Sequence, residues 1–140
     1  MNIIETTGLV KDYPLGKTTV HAVRGIDLAI AKGDILSIIG PSGSGKTTLL
    51  NLIGCIDTPT AGRVRIGDTE VTALDDRAVT DLRLHRIGFI FQTFNLIPVL
   101  TALENVEFPM LLMRHHSRDE IRRRAVDLDA GTYNIVLLRL

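Results

Sequence analysis

Gly40-Pro41-Ser42-Gly43-Ser44-Gly45-Lys46-Thr47 follows the apolar run Ile35-Leu36-Ser37-Ile38-Ile39 and opens a helical pattern from Thr47 to Ile53. The octet fits G-x-x-x-x-G-K-[ST]. Strand, glycine-rich loop and helix in that order give the match structural meaning, because the loop then ends on a helix N-terminus. The alternative is a Gly/Ser-rich turn with a chance lysine, and the strand and helix signals on both sides argue against it. The stretch therefore predicts an α/β fold with a loop built to hold an anion.

The chemistry of that loop follows from its residue types. A triphosphate packs several negative charges into a small volume. Glycines at 40, 43 and 45 remove side chains where the backbone must approach it and permit positive φ. Successive backbone N–H groups then face one concavity, and the free N–H groups and positive dipole end of the next helix add to it. Lys46 supplies a cation for the β- and γ-phosphates, and the Thr47 hydroxyl a ligand for Mg²⁺.

Composition narrows the remaining choices. A chain of 140 residues with 16 basic and 16 acidic side chains offers no bulk electrostatic case for nucleic acid. Arg118 and Arg122-Arg123-Arg124 form a basic cluster, but Asp119 and Glu120 alternate with it on a helical pattern, as on a solvated helix face. Cys55 is the sole cysteine, in the apolar stretch Leu52-Ile53-Gly54-Cys55-Ile56, where it reads as a small buried hydrophobe. No intrachain disulfide is possible, which fits a reducing compartment. His85, His115 and His116 lack metal-ligand spacing with Cys or acidic partners. Glu104 and Glu107 share a helix face with no acid–base partner. No run reaches the about 18 apolar residues of a membrane span, and Met1 to Glu5 does not read as a secretion signal. The mean hydropathy of +0.21 is high for a free soluble domain, so some apolar surface is expected to meet a partner or a further part of the fold.

Along the chain, residues 3–10 and 19–30 read as strands, the second irregular near Arg24-Gly25, with a turn at Tyr13-Pro14-Leu15-Gly16. Lys32-Gly33-Asp34 turns tightly into a buried strand at 35–39. A short helix over 47–55, a Pro/Gly-punctuated link at 57–62 and a short strand at 63–67 follow. Asp75 to His85 reads as a helix with Ala78, Val79, Leu82 and Leu84 on its apolar side, and Ile87-Gly88-Phe89-Ile90-Phe91 as a second buried strand. Thr101 to Arg114 carries a helix signal interrupted by Pro109, which is expected to kink or break it. Ser117 to Leu128 is a helix with a capping box formed by Ser117 and Glu120.

Three phrases outside the loop narrow the family. They are Val10-Lys11-Asp12-Tyr13, Ile90-Phe91-Gln92, and the stretch from Phe94 to Val106, FNLIPVLTALENV. Together with the loop they resemble the ATP-binding subunits of ABC transporters, and among these the lipoprotein-releasing and macrolide-export branch. Taken singly, Tyr13 also reads as a packed turn residue and Gln92 as a solvated strand end. The resemblance covers about Ile3 to Val126. It implies a P-loop NTPase (ABC ATPase) core, its N-terminal part only, with antiparallel strands first and then the start of a helical subdomain. It further implies that Tyr13 stacks on adenine, that Gly40, Pro41, Ser42, Gly43, Ser44, Gly45, Lys46, Thr47 and Thr48 hold the phosphates of ATP, and that Thr47 and Gln92 reach Mg²⁺. Lys46 and Gln92 would act on the γ-phosphate. The segment Phe94 to Val106, apolar at Phe94, Leu96, Ile97, Val99 and Leu100, would dock on a transmembrane permease subunit at the cytoplasmic face of the plasma membrane. Such subunits work as homodimers. As an alternative, the run 94–100 reads as plain core.

The family pattern continues with a Leu-Ser-Gly-Gly-Gln signature, an apolar strand ending in Asp-Glu and a switch histidine, and these are not found here. Asp129-Ala130-Gly131-Thr132 is not the signature, and Arg139 stands where a magnesium-binding aspartate is wanted after Ile135-Val136-Leu137-Leu138. The expected division is a partial ATP-binding domain at 1–126 and a foreign tail at 127–140. ATP binding with little turnover is expected of this chain alone, together with an unpaired, exposed apolar edge beside strand 35–39; partial filling of that edge by residues 135–138 is the alternative. The rival readings are a non-hydrolysing binding or docking remnant and an unrelated P-loop kinase or GTPase. The last leaves Tyr13, Gln92 and the 94–106 phrase unexplained.

Overall fold

The computed structural model describes residues 1–91, 93 and 95–129, which fall into two units, 1–83 and the residues from 84 onward. Gln92, Phe94 and, of the expected tail at 127–140, residues 130–140 with the run 135–138 and Arg139 lie outside the described residues.

In the first unit, β1 (Asn2–Leu15) and β2 (Thr18–Ala31) form a long antiparallel hairpin. β3 (Ala61–Ile66) pairs antiparallel with the other side of β1, and the short β4 (Thr69–Glu70) pairs with β3, for a sheet order β2-β1-β3-β4. The irregularity expected near Arg24-Gly25 is a bulge: Leu9 faces Ile26 and Val10 faces Arg24, which leaves Gly25 at φ 73° without an opposite residue. The expected turn over Tyr13 to Gly16 is displaced. Tyr13, Pro14 and Leu15 extend β1, and the chain reverses at Gly16-Lys17. Beyond Val10, β1 has a ladder partner on one side only, and there a proline without an N–H is tolerated.

α1 (Lys46–Ile53) packs against β1 and β2. Leu9, Leu52 and Val64 are fully buried side chains from β1, α1 and β3, joined by Val23, Ile53, Cys55 and Val71. Thr6 is the buried polar residue of this core, and its hydroxyl donates to the Ile26 carbonyl at 2.9 Å. Cys55 is a buried hydrophobe as expected, and burial raises its thiol pKa.

The two buried strands expected at 35–39 and 87–91 do not form. Neither segment joins a ladder, and Ile35, Ile39 and Ile90 are largely exposed. An apolar run becomes a strand only where neighbouring strands take up its N–H and C=O groups. Among the described residues the sheet ends at β2 and β4, and neither segment is paired with an edge.

α2 (Asp76–Arg86) runs across the division between the units, with Ala78, Val79, Leu82 and Leu84 half-buried, as its pattern predicts. In the second unit α4 (Arg118–Asp129) packs on α3 (Ala102–Met113), burying Ile121 and Ala125. Pro109 does not break α3, which continues through it to an αL cap at Arg114. The proline's missing N–H leaves only the Asn105 carbonyl without its helical donor. Ser117 Oγ accepts from Glu120 N at 3.3 Å, whereas the Glu120 carboxylate binds Arg123 and Arg124, the latter at 2.6 Å. Arg122 pairs with Glu107 at 2.9 Å, so Arg122, Arg123 and Arg124 of the basic cluster are ion-paired on a solvated face. No helix among the described residues is long and apolar enough to cross a membrane.

Candidate functional site

The glycine-rich loop ends on the N-terminus of α1. Gly45 is the N-cap residue at φ 87°, and Leu49 N donates to Gly45 O at 2.8 Å. The N–H groups of the first turn, at Lys46, Thr47 and Thr48, therefore have no helical acceptor and add to the positive end of the helix. Gly45 is required twice over. Its φ is left-handed, and a Cβ there would lie 2.2 Å from the Ala22 carbonyl oxygen of β2. Ser44 N donates to Pro41 O at 3.3 Å, which closes the loop into a turn.

Lys46 reaches back over this turn. Its ammonium donates to the carbonyl oxygens of Gly40 and Pro41 at 2.9 and 2.6 Å, and to Ser44 Oγ at 3.3 Å. The cation is thereby held at the mouth of the loop. The Thr47 residue is exposed in the first turn of α1 and Thr48 half-buried. A cavity of about 470 Å³ adjoins the loop on the β2 side, with Ala22, Ile38, Ile39, Ser44, Lys46 and Leu49 among its walls. Tyr13 and Thr47 stand outside it.

Tyr13 is brought to the same helix from β1. Its phenol donates to Asp57 Oδ2 at 2.6 Å and also interacts with the Thr48 hydroxyl. Lys11, two residues back on the same strand, bonds Asp57 Oδ1 and Thr58 O, both at 2.7 Å, and holds its ammonium 4.9 Å from the centre of the Tyr13 ring. The bond to Asp57 pushes the Tyr13 pKa up. For Asp57 itself, burial acts upward, but hydrogen bonds from Lys11, Tyr13 and Thr58 N outweigh it and hold the carboxyl below its usual range. Lys11 lies in the 10–13 phrase with no role of its own assigned to it, and Asp57 does not stand out in the sequence. The two are 46 positions apart, and only the folded sheet brings them together.

A magnesium ion takes oxygen ligands, keeps several waters and is commonly shared with substrate phosphates, so it does not need an all-protein cage. The Thr47 hydroxyl is one such donor beside a phosphate loop. No cluster of three or more His, Cys, Asp or Glu suited to a metal occurs among the described residues. Among the described residues the Thr47 hydroxyl fits an ion shared with phosphate.

In the second unit, Leu96 and Val99 are exposed and Ile97 and Leu100 half-buried. Asn105 fastens this loop to α3: its Oδ1 accepts from Ile97 N at 2.7 Å, and its Nδ2 donates to the carbonyls of Ile97, Leu100 and Thr101. The capping box of α3 escaped the sequence reading. Thr101 Oγ1 accepts from Glu104 N at 3.2 Å, and Thr101 N donates to Glu104 Oε2 at 2.7 Å. The spacing Thr101-x-x-Glu104 carried that signal.

The family model described as ABC transporter matches residues 23–136. An uncharacterized ABC transporter ATP-binding protein of Methanocaldococcus jannaschii, MJ0796, is 46% identical over 127 residues, 89% of this chain and 54% of that protein. The lipoprotein-releasing system ATP-binding protein LolD of Anaeromyxobacter dehalogenans is 48% identical over 111 residues, 79% of this chain and 46% of its own. The macrolide export ATP-binding/permease protein MacB of Rhodopseudomonas palustris is 46% identical over 118 residues, 84% of this chain and 18% of its own. A dimeric structure of the MJ0796 cassette in a post-hydrolysis state, bound to ADP and Pi, superposes with a TM-score of 0.82 at 45% identity, covering 89% of this chain and 54% of that one. The chain thus spans about half the length of MJ0796. The match of the family model takes in the whole phosphate loop, α1 and the helices of the second unit, and on it the chain belongs to the ABC transporter family.

Proposed function

We propose that this chain binds Mg-ATP as the nucleotide-holding part of an ABC-type export or lipoprotein-release subunit. The observation that carries the reading is the convergence on one short helix. The Lys46 ammonium sits over the loop at its N-terminus, and the Tyr13 phenol meets Thr48 one residue beyond Thr47. In this reading the loop from Gly40 to Thr48 cradles the phosphates and Lys46 neutralises their charge. Thr47 contributes its hydroxyl to the metal, and Tyr13 offers its ring to the adenine. Gln92 is assigned to the metal and the γ-phosphate on resemblance. The bound ion would offset phosphate charge.

Support for the wider setting is of a different kind. MJ0796 is described as dimeric and bound to ADP and Pi, and MacB as an ATP-binding/permease protein. By analogy we assign this chain to a dimeric cassette that meets a transmembrane permease through about Phe94 to Val106, at the cytoplasmic face of the membrane. The exposure of Leu96 and Val99 supports docking there over burial in a core.

The test is calorimetric titration of the 140-residue chain with ATP and Mg²⁺, beside Lys46→Ala. The expected result is saturable binding in the native sequence and weakening by about tenfold or more in the variant. Absence of saturable binding by a folded native chain overturns the reading.

A further inference from the structure

We propose that Asp57, through its bond to the Tyr13 phenol, is the positioning residue that fixes the tyrosine ring as a platform for a purine base. The inference rests on the nucleotide-binding reading above and adds to it a residue that lies outside both the phosphate loop and the 10–13 phrase. Three contacts carry it. Asp57 Oδ2 accepts from the Tyr13 hydroxyl at 2.6 Å, and Asp57 Oδ1 accepts from Lys11 Nζ at 2.7 Å. Lys11 Nζ also donates to the Thr58 carbonyl at 2.7 Å. One carboxylate thus ties the end of β1 to the loop that leaves α1. The helix that presents the loop's N–H groups and the strand that presents the ring are held at one spacing.

Orientation matters because stacking depends on the plane of the ring. The Tyr13 residue is about a third exposed, and its backbone lies where β1 is paired on one side only. Without a second anchor such a ring turns about its first two side-chain torsions. The Asp57 bond fixes the far end of the ring. Lys11 occupies the space 4.9 Å from the ring centre and helps to fix its tilt. A ring held this way loses less freedom when a base stacks on it, so affinity rises through preorganisation and not through a new contact.

The test compares two probes on the 140-residue chain: ATP, which has a base, and inorganic tripolyphosphate, which has none. Asp57→Ala and Tyr13→Phe are each expected to weaken ATP binding about three- to tenfold, the scale of one lost hydrogen bond. Tripolyphosphate binding is expected to stay unchanged. Tyr13→Phe keeps the ring and its burial, so it separates orientation from folding. The double variant is expected to be weaker by less than the product of the two single effects, because both remove the Tyr13–Asp57 bond. Unchanged ATP affinity in Tyr13→Phe, or equal weakening of both probes in the two single variants, overturns the proposal and leaves phosphate binding intact as a reading. Failure of the native chain to bind either probe overturns both.

Discussion

The Nζ of Lys46 donates to the Pro41 carbonyl oxygen at 2.6 Å, so the cation of the phosphate loop is held by the backbone of that same loop. Two carbonyls and a serine hydroxyl are modest acceptors, and phosphate oxygens with full negative charge compete well against them. Lys46→Ala is expected to weaken Mg-ATP binding about tenfold to a hundredfold, the range for hydrogen bonds to a charged group. The urea midpoint is expected to change little, because the carbonyls it leaves lie in an exposed loop. Calorimetry beside urea denaturation reads both. An unchanged dissociation constant would remove Lys46 from the site.

Gly45 and Gly43 make a matched pair for separating backbone strain from steric contact. Both have left-handed φ, 87° and 77°. A Cβ at Gly43 meets nothing within 4 Å, whereas one at Gly45 falls 2.2 Å from the Ala22 carbonyl oxygen. Gly43→Ala should cost about 1–2 kcal/mol from the dihedral alone. Gly45→Ala should cost more, by about 1–3 kcal/mol for the forced shift of β2 against α1. Urea midpoints at constant slope give the comparison. Equal effects would mean that α1 and β2 do not approach as closely as described.

Local order was legible where a segment satisfies its own backbone or pairs with a near neighbour. The β1–β2 hairpin, α1, α2 and α4 and the Gly25 bulge all appear in the pattern of the chain. The two missing strands share one cause. Residues 35–39 and 87–91 have the composition of buried strands, but strand formation depends on distant partners that composition does not reveal. The site shows the same split. Lys46 and the loop glycines are written in consecutive residues, while Lys11 and Asp57 meet across 46 positions and leave no local trace. Pro109 failed as a helix breaker because the cap at Thr101 and the packing of α4 on α3 outweigh one lost backbone bond.

Asp57 also makes a prediction about acid. Its carboxyl is held below the ordinary 3.8 by hydrogen bonds from Lys11, Tyr13 and Thr58 N, which outweigh the opposing effect of burial. A depressed folded-state pKa stabilises the protein at pH above the unfolded value, and that contribution is lost as pH falls through the folded value. Asp57→Asn is therefore expected to be less stable than the native chain at pH 7, with the difference shrinking below about pH 4. Urea midpoints measured from pH 7 to pH 3 read this directly. A difference that stays constant with pH would mean that the Asp57 charge contributes nothing and that only its shape matters.

Asn105 and Thr101 both act at the start of α3, but on different neighbours. Thr101 caps the helix itself through Glu104. Thr101→Ala should cost about 0.5–2 kcal/mol, the usual loss for an N-cap hydroxyl. Asn105 reaches backward and bonds both the N–H and the carbonyl of Ile97 and the carbonyl of Leu100, so it sets the path of the loop that carries exposed Leu96 and Val99. Asn105→Ala removes an acceptor from the Ile97 N–H, and exchange of that amide with solvent should accelerate by tenfold or more, the factor for about 1.4 kcal/mol of local protection. In Thr101→Ala the Ile97 amide keeps its Asn105 acceptor and should be far less affected, while the amide of Glu104 loses its own. Residue-resolved hydrogen exchange distinguishes the two patterns. Acceleration at Ile97 to the same degree in both variants would show that the loop is ordered by the helix cap and not by the asparagine.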